Sequence, residues 1–306
     1  MKKHIGYAVL SALLLAGCNG GQQKNSAKTE PPVFPRIETP ITITDPQLTA
    51  DYMTQHYWDK FDFTDTLFHA YPDVLEQALV DYLVVAPYAS GDLGQQSVSG
   101  LMRRAQADTA MYRIFIELTE KYLWDPNSPY RNEDLFIPIL ETMLASDGID
   151  EATRARSEYR LELSMKNRPG AIANDFTYTL ESGRSGKMSQ IRSEYLLLFF
   201  QNPGCSACAE IIAHSQNSPV LNKLEEDKRL VILSVYPDED LTEWQNYLSK
   251  LPKGWINGYD PEVVIKTENH YDLKAIPSLY LLDREKRVLL KDADIVNVER
   301  FLQQQI

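Results

Sequence analysis

Two hydrophobic periods divide the chain into a helical half and a mixed half. In the first half, apolar residues recur at helical spacing; after Pro72 they are separated by four, three and three positions, at Leu75, Leu79, Tyr82 and Val85. From about residue 170 onward, apolar runs typical of buried strands alternate with helix-like segments. The pattern predicts an α+β chain in which an all-α domain, residues 43–168, precedes an α/β domain, residues 169–306.

The all-α half predicts five helices packed as a small bundle. The first follows Asp45-Pro46, where a capping side chain precedes a proline in the first turn. The others are predicted after Pro72-Asp73, over about 97–123, over Asn132 to Ala145, and from near Asp150 to just before Arg168. Pro138 lies inside the fourth helix and is expected to kink it or to move its start.

One short stretch of this half is rich in aromatic residues, namely Tyr57, Trp58, Phe61, Phe63 and Phe68. Such residues most often fill a core, which is the interpretation favoured here over a binding surface. His56 and His69 lie in the same stretch without a second ligand pair at metal-binding spacing. We interpret both histidines as structural or exposed.

The mixed half predicts a short α/β domain. Its strands are predicted at Ala173 to Leu180, Tyr195 to Phe200, Leu230 to Tyr236, and in a hairpin of Ile276 to Leu282 with Arg287 to Lys291. Helices are predicted from about Asp240 to Leu251 and from about Asn297 to the end. The run that ends at Phe200 leads directly into the sequence Cys205-Ser206-Ala207-Cys208.

The N-terminus has the pattern of an export signal. Lys2 and Lys3 precede an apolar stretch that is too short for an ordinary membrane span. The sequence Leu15-Ala16-Gly17-Cys18 resembles a bacterial lipobox, in which the signal is cut before a cysteine that receives diacylglycerol. The resemblance implies a signal peptide at 1–17 and lipidation of Cys18; the alternative is an ordinary cleaved signal. Residues 18–42, rich in Gly, Gln, Ser, Thr and Pro, predict a flexible tether.

The lipobox also bears on location. Asn19 is not the aspartate that retains lipoproteins at the inner membrane of enteric bacteria, so the resemblance implies an envelope protein anchored at the outer membrane and facing the periplasm.

The whole chain carries 31 Lys and Arg against 43 Asp and Glu, a net charge of −12. This balance disfavours nucleic acid as a partner and is typical of a solvated acidic surface.

The spacing of Cys205 and Cys208 suggests chemistry. If Cys18 carries lipid, these are the two remaining cysteines, in a compartment where cysteines are normally paired. A strand that delivers Cys-x-x-Cys to the start of a helix places Cys205 where free amides and the helix dipole stabilise a thiolate. Cys205 is therefore predicted to attack, and Cys208, nearly one turn later, to resolve the mixed disulfide.

Other uses of the two cysteines are less favoured. A purely structural disulfide would close so short a loop that it contributes well below the roughly 3 kcal/mol of a 15-residue loop. A zinc site would need further ligands, yet His214 and His270 are single histidines without the usual spacing. Covalent haem attachment would need a histidine where the chain has Ala209. No metal or cofactor is predicted.

The order of elements around this motif resembles thioredoxin-like folds. Residues 170–306 are similar to the TlpA/ResA group of envelope thiol–disulfide oxidoreductases, whose opening Pro-Gly and Asp-Phe match Pro169-Gly170 and Asp175-Phe176. The resemblance implies that Pro277 is a cis-proline facing the disulfide and that the Ile276 backbone pairs with an extended substrate. It also implies a protein or peptide disulfide substrate, a reducing role and a membrane-bound electron donor. The whole architecture also resembles envelope proteins whose helical N-terminal domain has no assigned activity, so the resemblance implies no mechanism for residues 43–168.

The chain departs from that group at several positions. Gly204 stands where a tryptophan commonly precedes the first cysteine, and Phe199 where thioredoxin has a buried aspartate. Ile211 replaces an acid that commonly follows the second cysteine by three residues, while Glu210 is one residue early. Glu210 would assist proton transfer from Cys208 only if it turned inward, and we favour an exposed side chain instead.

Two rival functions remain open from the sequence. The first is a redox-idle binding or scaffold lipoprotein whose helical domain holds a partner. The second is a thiol peroxidase on the same fold, which is disfavoured because Asn202 replaces the threonine that precedes the peroxidatic cysteine by three residues.

Overall fold

Six α-helices form the first part of the chain that the structure describes. The structure is a computed structural model that describes residues 30–305, so Cys18 and the predicted signal peptide lie outside the described residues. The helices are Pro46–His56 (α1), Pro72–Leu83 (α2), Leu93–Ala105 (α3), Thr109–Thr119 (α4), Glu133–Leu144 (α5) and Glu151–Met165 (α6). We call this part the helical domain.

The single helix predicted over 97–123 is wrong, because the chain breaks between α3 and α4. The Asp108 carboxylate accepts a hydrogen bond from the Met111 amide at 2.8 Å and starts α4 there. A π-helical turn, Glu120–Trp124, then extends α4. Pro138 does not displace the start of α5, which begins at Glu133 after the Asn132 cap and runs through the proline.

The aromatic stretch fills the core of the helical domain, which confirms the core interpretation. The side chains of Tyr57, Trp58, Phe61, Phe63 and Phe68 are all buried. Phe34, in the segment predicted as a flexible tether, is 7% exposed and stacks on Tyr57 with ring centroids 5.6 Å apart. That part of the segment is therefore docked on the bundle, and the expectation of a free tether up to residue 42 is wrong there.

The two histidines of this stretch each face a carboxylate. His56 Nδ1 lies 2.7 Å from Asp59 Oδ2, and His69 Nε2 lies 2.8 Å from Asp108 Oδ1. The second contact joins the segment before α2 to the start of α4. Both histidines have the structural surroundings predicted for them.

A seven-stranded mixed sheet forms the second part. The strands are Thr177–Leu180 (β1), Ser185–Lys187 (β2), Tyr195–Phe200 (β3), Leu230–Tyr236 (β4), Ile256–Tyr259 (β5), Ser278–Leu282 (β6) and Val288–Lys291 (β7). Their order is β2-β1-β5-β4-β3-β6-β7, with β3, β4 and β5 parallel and the other pairings antiparallel. The α+β fold class is confirmed.

Five helices accompany this sheet in the described chain, and several bounds differ from the prediction. They are Ser206–Asn217 (α7), Pro219–Glu226 (α8), Leu241–Tyr247 (α9), Val264–Thr267 (α10) and Ile295–Gln303 (α11). The last begins two residues before the predicted Asn297 because Asp294 caps it. The strand predicted from Ala173 begins only at Thr177, and β5 was not predicted.

The central strand β3 is buried on both faces, which explains its continuous apolar sequence. Leu197 and Phe199 point into the core that contains Cys208. Leu196, Leu198 and Phe200 point into the core on the opposite face. None of the helices within residues 30–305 combines the length and apolar character needed to cross a lipid bilayer.

Candidate active site

Cys205 and Cys208 lie at the start of α7, immediately after the loop that leaves β3. They form a disulfide with their Cα atoms 5.2 Å apart. Cys205 is the N-cap of α7, and its Sγ accepts a hydrogen bond from the Cys208 amide at 3.1 Å. Cys205 Sγ therefore sits at the positive end of a 12-residue helix, where negative charge on sulfur is stabilised.

The two sulfurs differ in access to solvent. Cys208 is fully buried and packs in the same apolar cluster as Phe199 and Ile212. Cys205 is partly exposed, and the intervening Ser206 and Ala207 are exposed. An incoming molecule can therefore reach Cys205 before it can reach Cys208.

The loop that approaches Cys205 is held by polar contacts. Asn202 Nδ2 donates to Asp238 Oδ2 at 2.8 Å, and the Cys205 amide donates to the Asn202 carbonyl at 3.4 Å. Lys266 Nζ lies 2.6 Å from Asp238 Oδ1. Burial raises the pKa of Asp238, but the hydrogen bonds from Lys266 and Asn202 outweigh it and leave that pKa below its usual value. The network fixes the loop after β3 to the loop after β4.

Gly204 has a backbone conformation that explains the missing tryptophan. Its φ is +76°, in the left-handed region that favours glycine. A Cβ there would meet nothing within 4 Å, so the backbone conformation and not crowding selects glycine. A tryptophan at this position would be strained.

Ile276 and Pro277 lie beside the disulfide. β6 pairs with β3 so that Ser278 faces Phe200, which places the segment before β6 next to the segment after β3. The Ile276 carbonyl oxygen is 3.9 Å from Cys205 Sγ, and the Ile276–Pro277 peptide bond is cis. The structure thus brings together four residues predicted from the sequence, Cys205, Cys208, Ile276 and Pro277.

Two family models match the chain in succession. Residues 17–167 match a domain of unknown function (DUF5106), and residues 193–288 match a thioredoxin-like family. A crystal structure of a thioredoxin-like protein from Bacteroides caccae ATCC 43185 is 43% identical, with a TM-score of 0.86, and the match covers 89% of this chain and 99% of that one. This chain belongs to the same family of thioredoxin-like proteins. The predicted resemblance to thioredoxin-like proteins with an N-terminal domain of unknown function is confirmed.

Other solved structures match less than half of this chain. The C-terminal domain of an uncharacterised protein from Bacteroides fragilis NCTC 9343 is 54% identical, covering 45% of this chain and 98% of that one, with a TM-score of 0.44. The thioredoxin domain of a thiol-disulfide oxidoreductase from Bacteroides vulgatus is 19% identical, covering 45% and 98%, with a TM-score of 0.41. No curated protein sequence matches the chain significantly.

The structure shows the surroundings of Glu210 and Phe199, two residues near the cysteines of this thioredoxin-like protein. Glu210 is exposed on α7, which is the orientation favoured from the sequence, and a role in proton transfer stays a prediction. Phe199 is fully buried, with its ring centroid 6.1 Å from that of Trp255. Farther along the chain, on α8, burial raises the pKa of Glu225, while a hydrogen bond with Trp255 acts against this rise. In sequence Glu225 is an ordinary helix glutamate, so nothing distinguishes it there.

Sequence reasoning also missed polar residues that flank the motif. Gln201 directly precedes the approach loop and is fully buried, with neither polar atom of its side chain hydrogen-bonded within the described chain. Ser278 directly follows Pro277, and its Oγ donates to Asp292 Oδ1 at 3.0 Å. The available signal for Gln201 was a polar residue that ends an apolar run.

The two histidines considered for a metal site have carboxylate partners. His214 Nε2 lies 2.7 Å from Glu299 Oε2, and His270 Nε2 lies 3.1 Å from Glu268 Oε2. Within residues 30–305, no three His, Cys, Asp or Glu side chains are grouped so as to hold a metal ion.

Proposed function

We propose that this protein reduces disulfide bonds of proteins or peptides by thiol–disulfide exchange at Cys205 and Cys208. The observation that carries the proposal is the asymmetry of the pair. Cys205 is partly exposed and caps a helix, while its disulfide partner Cys208 is buried three residues later. This arrangement supplies a nucleophile that substrate can reach and a resolving thiol that it cannot.

The exchange starts from the dithiol form. The Cys205 thiolate attacks one sulfur of the substrate disulfide, a Cys205–substrate bond forms, and the other substrate sulfur leaves as a thiolate that takes up a proton. The Cys208 thiol then loses its proton and attacks Cys205 Sγ, which releases the second substrate thiol. Two electrons pass to the substrate, and the protein is left with the disulfide seen in the structure.

Substrate binding is proposed at the Ile276–Pro277 segment. The Ile276 carbonyl oxygen, 3.9 Å from Cys205 Sγ, lies where an extended chain bonded to that sulfur would pass. A backbone amide of the substrate can donate to this carbonyl, which binds the chain without reading its side chains. The reducing direction, supported by the TlpA/ResA resemblance, requires a dithiol donor to regenerate the two thiols, and we propose that this donor is membrane-bound.

We also propose that the protein acts in the cell envelope, anchored through lipid on Cys18 at the outer membrane and facing the periplasm. The support is the sequence Leu15-Ala16-Gly17-Cys18 behind a short apolar stretch. In cells grown with labelled palmitate, the full-length chain is expected to carry label and Cys18→Ser is expected to carry none. Equal labelling of the two chains would exclude this anchor.

A trapping experiment tests the exchange chemistry. In Cys208→Ala the mixed disulfide cannot be resolved, so adducts of the protein with its substrates should accumulate on Cys205. We expect reductant-sensitive bands of higher mass on non-reducing gels of the cell envelope. The double variant Cys205→Ser with Cys208→Ala is the matched control and should show none.

The same experiment separates the rival functions. Absence of adducts in Cys208→Ala, together with no reduction of insulin by the unchanged protein, would reject the exchange function in favour of the redox-idle scaffold. Peroxide consumption that depends on Cys205 would instead point to the thiol peroxidase.

A further inference from the structure

The helical domain touches the segment that carries Ile276 and Pro277. We call residues 272–278 the proline loop. Lys274 Nζ lies 3.8 Å from the centroid of the Trp124 ring, which is a close cation–π contact between the two domains. Trp124 ends the π-helical turn after α4 and stacks on Phe136 of α5 with ring centroids 5.5 Å apart. The ring is therefore fixed by its own domain before it meets Lys274.

Lys274 transmits this contact to the proline loop. Its ammonium pairs with the carboxylate of Asp272, whose side chain is 1% exposed. The Lys274 backbone amide also donates to Asp272 Oδ1 at 3.2 Å. The lysine that rests on Trp124 is thus fixed to its own loop two residues before Ile276.

A second contact holds the other end of the proline loop. Asp292 accepts the hydrogen bond from Ser278 Oγ through Oδ1, and its Oδ2 lies 2.5 Å from Nη2 of Arg131. Arg131 lies between the π-helical turn and α5. The side chains of Arg131 and Asp292 are 23% and 20% exposed, so solvent screens this pair only in part.

We propose that Trp124 and Arg131 form a clamp that positions the proline loop for substrate and thereby sets substrate affinity. The inference rests on the proposed function and assigns a task to the helical domain at the same site. A chain that pairs with the Ile276 backbone must find that backbone ordered, and ordering it during binding would cost affinity. The clamp removes that cost by holding residues on both sides of Ile276–Pro277 from a second domain.

The π-helical turn supplies a matched control. Tyr122 is a partly buried aromatic residue in the same turn, and Lys121 Nζ lies 5.3 Å from the centroid of its ring. The partners of Tyr122, which include Glu76 and Tyr130, belong to the helical domain. Tyr122→Leu therefore perturbs the same turn without removing a contact to the proline loop, while Trp124→Leu removes one.

Hydrogen exchange of the full chain tests whether the clamp orders the loop. In Trp124→Leu the hydrogen-bonded backbone amides of the proline loop, such as that of Lys274, should exchange about fivefold faster, the effect expected for loss of a partly desolvated cation–π contact. Tyr122→Leu should leave these amides unchanged, and Trp124→Phe, which keeps an aromatic face, should restore most of the protection. Equal exchange in the two leucine variants would overturn the clamp.

Kinetics test whether the ordered loop sets affinity. With a peptide disulfide as substrate and saturating reductant, Trp124→Leu should raise KM about fivefold at unchanged kcat, because looser binding affects ground state and transition state alike. Asp292→Asn keeps an acceptor for Ser278 but loses the charge that faces Arg131, and should also raise KM. An unchanged KM in a variant whose loop exchanges faster would overturn the positioning role.

The two readouts also separate this inference from the function on which it rests. If the unchanged protein reduced no disulfide, the proposed function would fail, and with it the effect on affinity. The exchange rates would still show whether Trp124 holds the loop. If the protein reduced disulfides and both leucine variants behaved alike, the clamp alone would fail.

Discussion

Cys205→Ser is expected to lower the rate of disulfide reduction by on the order of a thousandfold or more, because a serine hydroxyl does not attack a disulfide. The measurement is turbidimetric reduction of insulin with dithiothreitol as final reductant. The background should be Cys18→Ser, since the chain has three cysteines and this change leaves only the pair at the site. A residual rate above about one-tenth would place the chemistry elsewhere, since loss of a true nucleophile costs far more than tenfold.

Two controls separate loss of the nucleophile from loss of the disulfide. Cys208→Ser also removes the disulfide but keeps the attacking thiol, so it should form one mixed disulfide per chain with an activated disulfide reagent and then stop. Ser206→Ala changes an exposed residue between the cysteines and should turn over at nearly the unchanged rate. Cys205→Ser should form no adduct at this site.

The site could be predicted because its determinants are local in sequence. The apolar runs over Tyr195–Phe200 and Leu230–Tyr236 are strands buried on both faces, and the structure gives β3 and β4 these same bounds. A cysteine pair that follows such a strand and precedes a helix is expected at the start of that helix. The side-chain pattern and the backbone geometry therefore both place Cys205 and Cys208 at the start of α7.

Elements with weak local patterns could not be predicted in the same way. The break between α3 and α4 was missed because the apolar stripe continues across it, with only the cap residue Asp108 as a signal. β5, Ile256–Tyr259, contains Asn257 and Gly258, which are uncommon in strands, and is formed by pairing with β1 and β4.

The contacts between the domains join residues that are far apart in sequence, so the local sequence pattern does not predict them. Trp124 and Lys274 are 150 positions apart and each has an unremarkable local environment in sequence. The same holds for Lys291 and Glu133, which meet across the domain boundary. Only the folded backbone brings such pairs together, so the role of the helical domain at the site could be inferred only from the structure.

Lys291→Met is expected to destabilise the protein by about 3–5 kcal/mol at pH 8, the usual cost of removing one partner of a buried ion pair. The Lys291 side chain is 5% exposed, and Nζ lies 2.8 Å from Glu133 Oε2. It also donates to the Ser164 and Lys166 carbonyls at 3.0 and 2.8 Å. Methionine fills the volume of the chain but leaves three oxygen acceptors of the helical domain without this donor. Urea denaturation followed by tryptophan fluorescence measures the loss.

The destabilisation should depend on pH, and its sign follows from Glu133. Burial raises the pKa of Glu133 above its ordinary value of 4.5 and outweighs the attraction of Lys291. A carboxyl group whose pKa is raised in the folded state contributes stability below its unfolded pKa and loses that contribution as pH rises through the folded pKa. Without Lys291 the carboxylate is still more costly to keep charged, so Lys291→Met should lose more stability at pH 8 than at pH 5.

Two further variants decide whether the buried pair is the cause. Lys223→Met removes the same side chain from an exposed pair with Asp227 and should cause no measurable change at either pH. Adding Glu133→Leu to Lys291→Met removes the carboxylate that lost its Lys291 partner, so part of the lost stability should return and the pH dependence of the deficit should disappear. If Lys291→Met were no less stable than Lys223→Met, or if its deficit were the same at pH 5 and pH 8, loss of the Lys291–Glu133 pair would not be the cause of the lost stability.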